Sequence, residues 1–146
     1  DKPIDAAIAA LALLEAHQAL DILLAKEPNR ITYVVTKADI LIDGGEAPEV
    51  AIKRELLEET GYSFDSCELI ATLYPNPATS TNKTFTYLLK GGVKTHEQHL
   101  DEHEILNVEL YSIDEVKQLL KDNKIDQSLH TAALFYGLAA LQEQYL

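Results

Sequence analysis

The segment that most constrains the fold of this 146-residue chain is a short predicted helix at residues 48–60, which lies between a glycine turn and a glycine stop. Pro48 suits the first helical turn because its missing N–H is not needed there, and Gly61 is typical of the residue that ends a helix. At about 100° per residue, one side of this helix collects the carboxylates of Glu55, Glu58 and Glu59. The apolar residues predicted to lie around the other side are Val50, Ile52, Leu56 and Leu57.

The three glutamates are spaced so that their side chains are neighbours on the helix surface. Like charges at this spacing repel one another by about a few tenths of a kcal/mol per pair. A hard divalent cation, which prefers oxygen ligands, converts that repulsion into coordination. A solvated acidic face on an ordinary amphipathic helix is the alternative interpretation.

The residues around the glutamates form a longer pattern. Glu46 is followed by seven residues and then by Arg54-Glu55-Leu56-Leu57-Glu58-Glu59-Thr60-Gly61-Tyr62. This arrangement resembles the Nudix box, G-x5-E-x7-R-E-U-x-E-E-x-G-U, in which U is an apolar residue, and it matches every specified position from Glu46 onward. One position departs from the pattern, because Ile40 stands where the box has its first glycine.

The resemblance covers roughly residues 38–140 and implies an α/β (α+β) class, with the Nudix fold of a mixed β-sheet between helices. We expect residues 1–146 to form a single domain of this kind, with 1–30 poorly matched to the family. Apolar alternation predicts strands at 31–36, 67–74, 84–89 and 105–111, the third of them ended by Gly91 and Gly92. Ser112 and Glu115 predict a capping box at the start of a helix, and Ser128 is predicted to cap the last helix.

Residues 5–20 give conflicting signals. Alanine and leucine dominate this region, and their propensity favours a helix, at least at its start. The resembled fold instead places strands just upstream of the box, which 6–14 and 22–25 are able to supply. Both interpretations remain open at this stage.

The resemblance also implies roles for the box residues. Glu58 and Glu59, with Glu55 in support, are similar to the family's ligands for Mg²⁺, which Mn²⁺ is able to replace. Arg54 resembles the residue that orients a box glutamate through an ion pair. Glu58 and Arg54 are therefore expected in the catalytic centre as well, and the backbone near Ile40 is expected to complete the metal site.

An acidic loop at 95–105 supplies two further candidates. In the resembled branch of the family, this loop brings a catalytic glutamate over the site, and Glu104, then Glu102, are the positions that match. The same loop carries His96, His99 and His103, whose spacing also permits a zinc site. Polar loops commonly carry solvated histidines, and no cysteine accompanies these three, so zinc is the weaker interpretation.

The branch of the family is indicated by Pro77, which lies about fifteen residues beyond the box, as in ADP-ribose and ADP-sugar pyrophosphatases. The implied reaction is the Mg²⁺-dependent hydrolysis of a nucleoside diphosphate linked to another moiety. Two alternatives stay open: a Nudix-fold nucleotide-binding or sensor module that has lost hydrolysis, and a purely structural domain.

Composition excludes some partners. The chain has 24 acidic and 12 basic residues, a formal charge of −12, which argues against nucleic-acid binding. There is no uninterrupted apolar run of membrane-spanning length and no basic leader pattern, so we expect neither a membrane span nor a signal peptide. The single cysteine, Cys67, favours a reducing, cytoplasmic location. Apolar residues cover most of the circumference of the last helix. This feature, together with the resemblance, predicts a homodimer.

Overall fold

A computed structural model describes residues 8–14, 19–27, 30–37, 46–81, 83–100 and 106–141. The strands are β1 (Ile8–Leu14), β2 (Ala19–Glu27), β3 (Arg30–Lys37), β4 (Tyr62–Ser63), β5 (Ser66–Leu73), β6 (Thr84–Lys94) and β7 (Leu106–Ser112). The helices are α1 (Pro48–Thr60), α2 (Ile113–Lys121) and α3 (Ser128–Ala140). The bounds of α1 are those predicted from Pro48 and Gly61.

The strands form one seven-stranded sheet in the order β4-β6-β3-β2-β1-β7, with β5 also paired to β6. Each pairing between the described strands is antiparallel. The α+β class is confirmed. The one difference from the expected mixed sheet is that these pairings include no parallel pair.

Helices cover both faces of this sheet, because successive strand residues point to opposite sides. Val35 and Leu89 face α1, whereas Val34 and Leu88 face α2 and α3. The helical residues that complete the two clusters are Ile52 and Leu56 of α1 on one face, and Val116, Leu134 and Leu138 of α2 and α3 on the other. The expected sandwich therefore has one helix on the face that carries the box and two on the opposite face.

The helix favoured for the start of 5–20 is wrong for the described part of that region, where β1 and β2 form an antiparallel pair. The alternative, strands upstream of the box, is the correct one. β1 lies between β2 and β7, with Leu11 opposite Ile22 on one side and Glu109 on the other. Two ladders of backbone hydrogen bonds thus outweigh a helix propensity of a few tenths of a kcal/mol per residue.

Downstream of the box, the predicted strands are confirmed, but β6 does not end at its glycines. It continues through Gly91 and Gly92 to Lys94, because Gly92 pairs with Ile31 of β3 and Lys94 pairs with Tyr62 of β4. Gly91 has φ of 74°, which accommodates the irregular register between β3 and β6 at this point.

Both helix caps of the opposite face can be checked. The capping box of α2 is confirmed, since Glu115 N–H donates to Ser112 Oγ and Ser112 N–H donates to Glu115 Oε1. The predicted cap at Ser128 is wrong by one residue. Gln127 is the N-cap of α3, and its Oε1 accepts the N–H of His130 at 3.0 Å.

Most of the large apolar residues of α3 are accounted for by packing in this chain's own core. Leu134, Leu138 and Leu141 are buried, and among the described residues of α3 the exposed large apolar side chain is Tyr136. None of the helices described here has the length and apolar character that crossing a membrane requires.

Candidate functional site

The carboxylate-bearing helix is α1, and its position is set by its apolar face. Ala51, Ile52, Leu56 and Thr60 are buried, and Ile52 and Leu56 pack against the sheet. Val50 is 52% exposed, so the buried side includes Ala51 in its place, contrary to the predicted stripe. Glu55, Glu58 and Glu59 therefore lie away from the sheet, with Glu58 exposed and the other two half-buried.

Arg54 lies between two carboxylates of the box. Its Nη2 is 2.8 Å from Glu46 Oε1, and its Nη1 is 3.9 Å from Glu58 Oε1. The side chain of Glu46 is only 19% exposed, so this shorter contact is the better shielded of the two. Arg54 therefore hydrogen-bonds to Glu46, whereas Glu58 lies within ion-pair distance but beyond hydrogen-bond distance.

Glu46 was not singled out as a site residue in the sequence analysis. The signal was available, because Glu46 occupies the first specified glutamate of the box pattern. What the pattern does not state is that Arg54 contacts this glutamate more closely than it contacts Glu58, which is only one helical turn away.

The donor set of this face suits a magnesium ion, because carboxylate oxygens are hard ligands and Glu58, with 55% of its side chain exposed, is open to a cation. Over the part of the chain that the structure describes, no group of three His, Cys, Asp or Glu side chains is already gathered as a metal site. Glu102, Glu104 and the backbone near Ile40, which the resemblance adds to this centre, lie outside the described residues.

The C-terminal end of α1 is covered by residues 95–99, which follow β6. Gly61 has φ of 80°, a left-handed conformation that ends the helix, and its N–H donates to Leu57 O at 2.9 Å. The carbonyl of Gly61 accepts the N–H groups of Thr95, at 2.9 Å, and His96, at 3.1 Å. A Cβ atom on Gly61 would collide with the backbone carbonyl of His96, so only glycine fits here.

Two further contacts reach the glutamates themselves. The N–H of His99 donates to the carbonyl of Glu58 at 2.7 Å, and the side-chain amide of Gln98 donates through Nε2 to the carbonyl of Glu59 at 2.9 Å. These contacts join positions about forty residues apart in the chain. Sequence reasoning missed them, because most of the donors are backbone groups that leave no residue pattern.

The alternative zinc site does not form among the histidines that can be placed. His96 and His99 are both exposed, and His103 lies outside the described residues. His96 Nδ1 is instead 2.8 Å from Thr95 Oγ1, which is in turn 2.6 Å from Ser63 Oγ. This short hydrogen-bonded chain ties the start of the 95–99 segment to β4.

Cys67 lies on β5 and is half-buried under α1. Burial raises the pKa of its thiol to about 11, with a further contribution from Glu49 that Lys53 partly offsets. The thiol is therefore protonated at neutral pH, which disfavours a role as a nucleophile.

The loop that carries Pro77 lies at the end of the sheet where β3 leads towards the box. Leu73 pairs with Thr84 at the mouth of this loop, and next to it Phe85 pairs with Lys37, the last residue of β3. Within the loop, Lys83 Nζ lies 5.4 Å from the ring centre of the exposed Tyr74. The strand register thus brings the two ends of this loop close to the last residue of β3.

Comparison with known proteins adds independent findings. A family model described as the NUDIX domain matches residues 4–132. A methanol dehydrogenase activator from Bacillus methanolicus is 28% identical over 131 residues, which cover 89% of this chain and 70% of that protein. An ADP-ribose pyrophosphatase from Bacillus subtilis (strain 168) is 26% identical over 131 residues, with the same coverage of 89% and 70%.

Proposed function

Because this chain belongs to the Nudix family and is a pyrophosphohydrolase of that family, we propose that it hydrolyses the pyrophosphate bond of ADP-ribose or a related ADP-sugar. For ADP-ribose, water adds across the phosphorus anhydride, and the products are AMP and ribose 5-phosphate. The observation that carries the proposal is the carboxylate face of α1, with Arg54 held between Glu46 and Glu58. The choice of substrate is supported by Pro77 and by the name of the relative from Bacillus subtilis.

The proposal assigns Mg²⁺, or Mn²⁺ in its place, to Glu58 and Glu59, with Glu55 in support. When bound, such an ion supplies charge neutralisation of the two phosphates and lowers the pKa of a water molecule. Arg54 attracts Glu58 electrostatically across 3.9 Å, and its 2.8 Å contact with Glu46 holds the guanidinium in place. Lys would not reproduce this arrangement, because a single ammonium group cannot donate in two fixed directions from one plane.

We also propose a domain organisation, a location and an oligomeric state. The whole chain is treated as one domain, and the single cysteine supports a reducing, cytoplasmic location. The acidic composition argues against nucleic-acid partners. A homodimer is kept in the proposal, although the buried leucines of α3 remove most of the argument for it and leave Tyr136 as its exposed apolar residue.

The test is a hydrolysis assay across a panel of nucleoside diphosphate derivatives that includes ADP-ribose, other nucleotide sugars and dinucleotides. Each compound is incubated with Mg²⁺ or with a chelator, and the nucleotide products are separated by chromatography. We expect AMP to appear from ADP-ribose only when Mg²⁺ is present. Hydrolysis of a different compound in the panel would support the proposed reaction and assign another substrate to it.

A second function is favoured by the other relative, whose name describes the activation of another enzyme. Here the chain would bind a nucleotide and act as a sensor without hydrolysing it, an alternative that Ile40 in the glycine position of the box also favours. Calorimetry separates the two functions. Binding of ADP-ribose with no product in any arm of the panel would support the sensor.

The proposed base is Glu104, with Glu102 as the second candidate. Glu104→Gln removes a proton acceptor while preserving side-chain size, so kcat should fall by about a hundredfold or more, with KM and the Mg²⁺ requirement nearly unchanged. Steady-state kinetics of Glu104→Gln and Glu102→Gln, measured side by side, assign the role. Wild-type kcat in both variants would exclude this loop as the source of the base.

A further inference from the structure

The last turn of α1 is held by a segment that belongs to a different part of the chain. A helix normally leaves its last carbonyl groups without partners inside the helix, and they turn to solvent, to caps or to other segments. Here the carbonyl of Glu58 accepts the N–H of His99, and that of Glu59 accepts the amide of Gln98. We call residues 95–99 the C-terminal cap of α1.

This cap acts on the turn that carries two of the proposed metal ligands. The backbone carbonyl of Glu59 and its side chain belong to the same residue, so fixing the first restricts where the second can point. An unrestrained last turn frays, and its side chains then sample many directions. Ordering those carboxylates before the cation arrives removes an entropic cost from binding.

Gln98 is the member of this cap whose hydrogen-bond donor a substitution can remove. The donors of Thr95, His96 and His99 are backbone N–H groups, which every residue except proline retains. The donor of Gln98 is the side-chain Nε2, on a half-buried residue. Exchanging it for an apolar side chain of the same length deletes the hydrogen bond to the Glu59 carbonyl and keeps the backbone N–H donors of Thr95, His96 and His99.

We propose that Gln98 is a positioning residue for the metal-binding carboxylates, acting through the carbonyl of Glu59 to hold the last turn of α1. The inference rests on the proposed function, because it assumes that Glu58 and Glu59 bind a divalent cation. It goes beyond that function in assigning a role to a residue outside the box. Gln98 contacts neither substrate nor ion in this role, and its effect is on how tightly the ion is bound.

The test uses Mn²⁺ binding to the metal-free protein, followed by electron paramagnetic resonance, with Gln98→Met as the variant. Methionine matches glutamine in length and lacks the donor. We expect the Kd for Mn²⁺ to rise about tenfold, the lower end of the effect of removing a partner that orients a metal ligand. The apparent activation constant for Mg²⁺ should rise in parallel, with KM for the nucleotide unchanged.

Gln118→Met is the matched control. Gln118 Nε2 donates to Asp122 Oδ1 at 2.9 Å at the end of α2, on the opposite face of the sheet. This substitution also removes a glutamine amide donor at a helix C terminus, where the acceptor is an exposed side-chain carboxylate, so Mn²⁺ affinity should stay at the wild-type value. Gln98→Asn, whose amide is one methylene too short to reach, serves in place of Gln98→Met if that variant does not fold.

The outcomes separate this inference from the function on which it rests. Wild-type protein that binds Mn²⁺, with equal affinity in the Gln98 variants, would overturn the positioning role and leave the proposed function intact. Equal weakening by Gln98→Met and Gln118→Met would also overturn it, because the effect would then be general. Wild-type protein that binds no Mn²⁺ would overturn the proposed metal site and this inference with it.

Discussion

Glu58→Gln and Glu59→Gln should each lower turnover of the preferred substrate by about a hundredfold or more, because the ion they hold supplies most of the electrostatic stabilisation of the transition state. Glutamine has the same size as glutamate but carries no charge, so each variant tests the ligand charge and little else. Saturating Mg²⁺ should restore part of the activity if affinity is what is lost. The measurement is kcat and the Mg²⁺ activation constant for each variant.

The same substitutions should have little effect on the stability of the metal-free protein, in contrast to their effect on turnover. Removing one of three neighbouring carboxylates relieves repulsion of about a few tenths of a kcal/mol per pair, which offsets the contacts that the carboxylate loses, so metal-free Glu59→Gln should keep most of the wild-type stability. Glu58→Gln also loses the 3.9 Å contact with Arg54, which offsets that relief. These substitutions should therefore lower activity far more than stability. Loss of a glutamate with only a structural role would lower both together.

Glu68→Gln is the control for charge alone. Glu68 is exposed on β5 and lies outside the box, so its neutralisation changes the net charge by the same amount with no ligand lost. We expect wild-type turnover from it. Full activity in both Glu58→Gln and Glu59→Gln would refute their assignment as ligands.

The first and last residues of the box helix could be predicted because the signals that set them are local. Pro48 and Gly61 act through their own backbone conformations, and neither depends on what packs against the helix. The strands before it could not be predicted with the same certainty. In β1 the Ala- and Leu-rich sequence favours a helix, and pairing with β2 and β7 decides the outcome.

Some contacts of the site could likewise be predicted from local sequence, and others could not. The glutamates and Arg54 belong to one helix and one pattern, so their proximity follows from helical spacing. The cap of α1 depends on where β6 ends, and β6 runs past the two glycines that the sequence analysis expected to end it. Because that extension rests on pairing with β3 and β4, the contact of Gln98 with Glu59 was out of reach of local reasoning.

Gly61 provides the largest expected effect on stability. Gly61→Ala places a side chain on a residue with φ of 80°, which costs an L-residue about 1–2 kcal/mol. Its Cβ would also collide with the backbone carbonyl of His96, and relieving such overpacking costs about 1–3 kcal/mol more. We expect a total loss of about 2–5 kcal/mol in the free energy of unfolding, measured by urea denaturation.

Gly91→Ala distinguishes the cost of the left-handed backbone from the cost of the collision. Gly91 also has a left-handed backbone, with φ of 74°, but a different neighbour. A Cβ there would meet the exposed side chain of Asp65, whose carboxylate is able to rotate, although its own Cβ would stay 3.0 Å away. This variant should therefore lose the conformational part, about 1–2 kcal/mol, with a smaller steric cost than Gly61→Ala has. Equal losses in the two variants would contradict the rigid contact between Gly61 and His96, since the cap would then move aside as easily as a side chain. A larger loss in Gly61→Ala would instead support the docking of residues 95–99 as part of the stable core of the domain.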